Sequence, residues 1–136
     1  MRPDDGVGAK VGSGCRVTTE TCSGTAVFHL EGDVVAGTIV QIRPALAGAV
    51  GEPKVMLDLT GVNFIDSVGL GTLLSVISGV HKQGGLVAIA DADPRRGVAR
   101  GLRVAGVDRL VFLADSSAGA LVWLSDPTSI PEAAPG

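Results

Sequence analysis

Val55, Leu57 and Leu59 recur at every second position of KVMLDLT, residues 54 to 60, and a period of two predicts a strand with these side chains on one face. Two β-branched, partly alternating runs precede it, CRVTTE (15 to 20) and TAVFHLE (25 to 31). The turn-prone TCSG between them predicts an antiparallel hairpin. From Val35 to Val50 the spacing changes, and Ile39, Ile42 and Leu46 fall at helical intervals before Gly51 and Pro53 close the segment. Gly61 marks a turn after the 54 to 60 strand. A second helix then runs from about Val68 to Gln83 and stops at Gly84 and Gly85. LVAIA (86 to 90) is a buried strand. PRRGVARGLRVAG (94 to 106) is a helix with proline in its first turn and Gly106 at its end. LVFL (110 to 113) is the last strand and SSAGALVWL (116 to 124) the last helix, capped by Ser116 or Asp115.

The predicted order is therefore β-β-α-β-α-β-α-β-α. Strands that alternate with helices after an opening hairpin imply an α/β fold with a mixed central sheet, parallel in its later part, layered with about four helices. The strand at 54 to 60 sits centrally in it. Residues 1 to 14 and 125 to 136 lack periodicity and are rich in Gly, Asp, Ser and Pro, so both are expected to be disordered tails around one domain, 15 to 124.

Composition narrows the picture. Hydrophobic residues make up 46% of the 136 positions but aromatics only 3%, so the core is built from Val, Leu, Ile and Ala. The charge-free stretch from Ser67 to Val80 is shorter than the roughly 18 to 20 residues that cross a bilayer and reads as a core helix. The start, MRPDDGVGAK, has two acids where a signal peptide needs a basic end and an apolar run, which points to the cytoplasm. A net charge of -3 argues against a nucleic-acid or anionic-lipid binder. Cys15 and Cys22 are the only cysteines, with no CxxC and no histidine cluster to complete a metal site, and read as free thiols. In an antiparallel hairpin Cys15 should face residue 29 or 30 rather than Cys22. Neither a cofactor nor a metal is called for.

The stretch NFIDSVGLGTLL, residues 63 to 74, sets a serine directly before an apolar helix. Three roles fit such a hydroxyl: helix cap, nucleophile and switch. As a cap, its oxygen accepts a hydrogen bond from an otherwise unsatisfied backbone amide. As a nucleophile it would need a base, yet His81 lies roughly 21 Å along the helix at 1.5 Å per residue. The G-x-S-x-G elbow is also missing, because Ile65 stands where glycine belongs. His29, in the hairpin, faces solvent or a sheet surface. Projected at 100° per residue, Leu70, Leu73, Leu74, Ile77 and Val80 face the sheet, while Ser67, Gly71, Ser75, Ser78 and Lys82 line the opposite side. That second face is small and nearly uncharged, which suits close approach by another protein.

The wider stretch VMLDLTGVNFIDSVGLGTLL resembles the signature of the STAS domain, and within it that of bacterial anti-sigma factor antagonists. Asp58, Leu59, Val62, Phe64, Asp66, Ser67, Gly69, Leu70 and Gly71 all fall in place, and the element order over residues 15 to 124 is also the family's. The resemblance implies a non-enzymatic binding protein. In such antagonists the serine matching Ser67 is phosphorylated by a partner that is both serine kinase and anti-sigma factor, and a PP2C-type phosphatase reverses the modification. The unmodified form binds the kinase and frees the sigma factor, so Ser67 is expected to be helix cap and switch together. The partner surface so implied comprises Asp33, Asp66, Ser67, Val68, Gly69, Gly71, Ser75 and Ser78. Gly32-Asp33-Val34-Val35 departs from the family pattern, with Val35 where a second acid often stands. STAS domains also act as nucleotide- or small-ligand-binding modules, in stress-signalling assemblies and attached to anion transporters.

Elsewhere, Arg96, Arg100 and Arg103 share a face of the 94 to 106 helix, with Arg95 and Arg109 nearby, which reads as a solvated basic face. Asp91, Asp93 and Asp115 lie at loop ends without metal-ligand spacing, and Trp123 reads as a core plug.

Overall fold

The computed structural model describes residues 14–91 and 97–126. β1 (Cys15–Cys22) and β2 (Thr25–Val34) form the opening hairpin, turned by Ser23 and Gly24, both at positive φ (52° and 81°). Two successive left-handed residues give the tight turn whose twist matches that of the flanking strands. α1 (Ile39–Ala47), β3 (Lys54–Ile65), α2 (Ser67–Lys82), β4 (Leu86–Ala90), α3 (Gly97–Val104), β5 (Phe112–Ala114) and α4 (Ser117–Ser125) follow, with a 3₁₀ turn over Val107–Arg109. The predicted element order holds throughout. The sheet runs β1-β2-β3-β4-β5, antiparallel at β1–β2 and parallel at every later pair, so β3 is its middle strand.

Helices pack on both faces of the sheet, and the alternation along β3 sorts its side chains between them. Val55, Leu57 and Leu59 join Phe28, Leu30, Ile42, Leu46, Leu73, Ile77, Val98 and Leu102 in the larger core, under α1, α2 and α3. Met56 turns the other way, to Val27, Ala88, Ala90 and Ala114, where α4 seats Ala120 and Leu124. Alanine on facing positions lets α4 approach the sheet closely, and Trp123 stacks on Phe112 at 5.2 Å at its side. At roughly 1.5–3 kcal/mol for each large side chain taken out of water, the larger cluster dominates the fold's stability.

The first three strands are longer than the pattern indicates. β3 does not turn at Gly61 but continues to Ile65. The ladder partners are His29↔Asp58 then Glu31↔Gly61, and Gly32↔Val62 then Asp33↔Phe64, so β3 takes one extra residue at each of two bulges. Gly61 is small because the chains crowd there: a Cβ would lie 3.0 Å from Glu31 Cγ and 3.1 Å from the Leu30 carbonyl. Glycine inside a strand marks such an approach as readily as a turn. α1 is shorter than the 35 to 50 span, because Val35 and Ala36 belong to a loop that Thr38 ties down. The Thr38 hydroxyl donates to the Asp33 carbonyl at 2.5 Å and accepts the Val35 amide at 3.1 Å.

Cys15 pairs with Gly32 and Cys22 with Thr25, at opposite ends of β1, and both thiols are free. Seven residues of strand separate their Cα atoms by about 23 Å, far beyond disulfide reach. The last strand begins at Phe112 rather than Leu110, and Ser116 caps α4 by accepting the Gly119 amide at 3.0 Å. The expected tails lie mainly outside the described residues, as do Pro94, Arg95, Arg96 and Asp93, while Ser125 completes α4. Arg100, Arg103 and Arg109 are exposed. No helix among the described residues is long and apolar enough to cross a membrane.

Candidate functional site

The site is built where the bulged ends of β2 and β3 meet the first turn of α2. Asp66 leaves β3 in an extended conformation (φ -101°, ψ -176°) and occupies the N-cap. Its Oδ1 accepts the Gly69 amide at 2.8 Å, satisfying one of the donors a helix start leaves open. Oδ2 accepts the Ala36 amide at 3.0 Å, and the Asp66 amide donates to the Val34 carbonyl at 3.2 Å. One aspartate thus joins the start of α2 to the β2–α1 loop. The Gly69 amide, then that of Ala36, holds its carboxyl below the usual carboxylate range, by favouring the charged form.

Ser67 is therefore not the cap. The carboxylate one residue earlier reaches the N3 amide in the geometry that capping requires, and a charged acceptor suits the positive helix end better than a hydroxyl. Ser67 stands at the first helical position, exposed. Stability does not depend on its oxygen in the way a cap would.

Gly69 is also displaced from its expected role. Rather than lining the outer surface it is buried, and a Cβ there would lie 2.0 Å from the Val34 carbonyl oxygen. Only glycine lets α2 start this close to β2. Gly71 is the opposite case, exposed with open space around it. Ser75, Ser78 and Lys82 share its exposure, so the small, nearly uncharged stripe read from the helical projection is present. The core-facing side is turned slightly from the projection. Leu73, Val76, Ile77 and Val80 are buried, while Leu70 and Leu74 are half-buried at the margin.

Sequence reasoning did not single out Phe64 as surface. It is 57% exposed and Val68 is 44% exposed, an apolar fringe on either side of Ser67 along the chain. In the sequence it stands only as a position of the family motif. Asp33 is half-buried opposite Phe64 in the ladder, so it lies on the strand beside the site.

Neither imidazole can serve Ser67 as a base. His81 sits in the last turn of α2. His29 lies on the other face of the sheet, half-buried, its Nδ1 2.5 Å from Asp58 Oδ2 and its Nε2 2.6 Å from Glu20 Oε2. Asp58, a motif residue, is thus engaged away from Ser67. Its other oxygen accepts the Thr60 amide at 3.0 Å and the Thr60 hydroxyl at 2.7 Å. Ser67 is thus an exposed serine at a helix start that neither imidazole approaches.

Residues 16–120 match the family model described as the STAS domain. The chain belongs to the STAS domain family. An anti-sigma F factor antagonist of Paenibacillus polymyxa is 26% identical over 112 residues, covering 80% of this chain and 94% of that relative. Solved structures share the fold, two of them as follows. The anti-sigma factor antagonist of Mycobacterium paratuberculosis has a TM-score of 0.73 at 23% identity, over 82% of this chain and 95% of that one. The phosphorylated form of the Bacillus cell fate determinant SpoIIAA has a TM-score of 0.60 at 19% identity, over 79% and 97% of the two chains.

Proposed function

We propose that this STAS domain is an anti-sigma factor antagonist, a binding protein whose surface around Ser67 docks an anti-sigma factor with serine-kinase activity. Phosphorylation of Ser67 by that partner ends the interaction, and a PP2C-type phosphatase restores it. The observation that carries this reading is the division of labour between neighbours: Asp66 caps the helix, which leaves the Ser67 hydroxyl exposed between Phe64, Val68 and the Gly71–Ser75–Ser78 stripe. Relatives named as anti-sigma factor antagonists support it, as does a phosphorylated form among proteins of this fold.

The physical basis of the switch is charge. A phosphoserine adds about -1.5 to -2 charge and three acceptor oxygens at pH 7. At the first helical position it lies at the positive end of the macrodipole, so the helix tolerates it. On a small, apolar-fringed contact surface, and next in sequence to the ionised Asp66, it imposes desolvation and like-charge costs on a partner fitted to the bare hydroxyl. The protein's own part is to present the hydroxyl rigidly, through the tie from Asp66 to Ala36 and the close seat of Gly69 on Val34.

The test is phosphotransfer from ATP to the full chain by the serine-kinase anti-sigma factor of the same cell, followed by peptide mass mapping. One phosphate on Ser67, and loss of the complex on its addition, is the expected result. Transfer to another residue, or a complex indifferent to the phosphate, overturns the reading.

A further inference from the structure

The sheet face opposite α2 is only partly covered, because α4 lies over β3, β4 and β5. Beyond it, register places Arg16, Thr18 and Glu20 of β1 on one open face with His29 and Glu31 of β2 and Asp58 of β3. His29 stands at the centre, within 2.5 Å of Asp58 Oδ2 and 2.6 Å of Glu20 Oε2. Ionised carboxylates only accept hydrogen bonds, so both ring nitrogens must donate, and only the imidazolium has two donors. Loss of one proton forces one of the two ties to break.

The position of this cluster gives it reach. His29↔Asp58 is the last pair of the regular β2–β3 ladder before the first bulge. Past the two bulges β2 carries Val34, paired with Ile65 of β3, and the Val34 carbonyl accepts the Asp66 amide and abuts Gly69. Bulges interrupt ladder bonds, so the segment from Glu31 to Val34 relies on what pins its upstream end.

We propose that Glu20, His29 and Asp58 form a proton-dependent clasp across three strands, which holds the bulged ends of β2 and β3 in register beneath the start of α2. The clasp belongs to the fold under Ser67 and does not depend on whether Ser67 is phosphorylated. The Glu20 hydrogen bond raises the His29 pKa, partial desolvation opposes it, and Asp58 adds to the rise. For a group whose folded pKa is raised, the stabilisation is complete below the unfolded value of about 6.5. It is lost as pH rises through the higher folded value. The other ionised groups on this face, Arg16 and Glu31, pair with each other at 2.5 Å. β4 contributes Ala88 and Ala90, with Asp91 following, and α4 has no ionisable side chain between Ser117 and Ser125.

The experiment is an NMR pH titration of the full chain with amide-exchange protection measured across the same range. His29 ring signals should titrate above the ordinary histidine value of about 6.5. Protection of the Gly32, Asp33, Val34, Phe64 and Ile65 amides should fall severalfold through that midpoint, while the β3–β4 ladder keeps its protection. Glu20→Gln, at an exposed position, should lower the His29 midpoint and carry the loss of protection with it, and His29→Gln should make protection independent of pH. A His29 midpoint at or below the ordinary value, or bulge amides indifferent to it in wild type and Glu20→Gln alike, overturns the clasp.

Discussion

Asp66 holds the backbone amide of Ala36 at 3.0 Å across thirty residues of sequence. Its second carboxylate oxygen meanwhile caps its own helix at Gly69. This pair of bonds assigns the structural role at the helix start to Asp66 and leaves the neighbouring Ser67 to the proposed switch. A serine that had to cap could be modified only at a cost to the fold.

Asp66→Ala should lose the cap, worth about 1 kcal/mol, together with the loop tie, and melt several degrees lower. Ser67→Ala should stay within about 0.5 kcal/mol of wild type, as an exposed position outside the cap. Urea denaturation of both variants checks this. A larger loss for Ser67→Ala than for Asp66→Ala would return the cap to the serine.

The two glycines of the motif should respond with opposite signs. Gly69→Ala forces a methyl group into the Val34 carbonyl and should destabilise by about 1–3 kcal/mol, as overpacking does. Gly71→Ala meets open space and gains helix propensity, so it should stabilise by up to about 1 kcal/mol. Equal effects in chemical denaturation would mean that α2 is rotated from its observed seat.

Ser67→Asp should fold as wild type, because an acid in the first turn suits the helix dipole, yet fail to bind the kinase. Ser67→Ala should bind it constitutively. Titration of each variant against the kinase with ADP present decides the matter. An Asp variant that binds like wild type sinks the phosphoswitch.

Acid should weaken the fold through Asp66 and Asp58. Burial pushes the Asp58 carboxyl up, but hydrogen bonds from Thr60 and His29 outweigh it, so both aspartates lie below the ordinary value. Stability from a depressed carboxylate is present above its unfolded pKa of about 3.9 and is lost as pH falls through the folded value. Unfolding free energy measured through that range should fall less steeply in Asp66→Asn than in wild type.

Burial also pushes the Cys15 thiol up, whereas Cys22 is half-buried at the hairpin end. A thiol reagent should therefore modify Cys22 first under native conditions and reach Cys15 only on unfolding. Mass mapping over time follows the two, and faster labelling at Cys15 would mean that the start of β1 frays.

Much of this protein was written locally in its chain. The period-two run through Val55, Leu57 and Leu59, the helical spacing after Ser67 and the glycines at 84 and 85 depend on interactions within a few residues, so element order and a mixed sheet, parallel in its later part, followed from them. The exposed stripe of Gly71, Ser75 and Ser78 followed too, since helix geometry alone sets which residues share a side. Which residue caps α2 was a contest between two adjacent oxygens, and an amide thirty residues away bears on it. The continuation of β3 past Gly61 was hidden because a glycine that admits a neighbouring strand looks the same in sequence as one that turns. Gly69 belonged to a surface until Val34 was placed against it, and His29, expected to face solvent or a sheet surface, gained its role only when two other strands brought carboxylates to both its nitrogens. Each of these was decided by contacts between segments distant in sequence, which local periodicity does not encode.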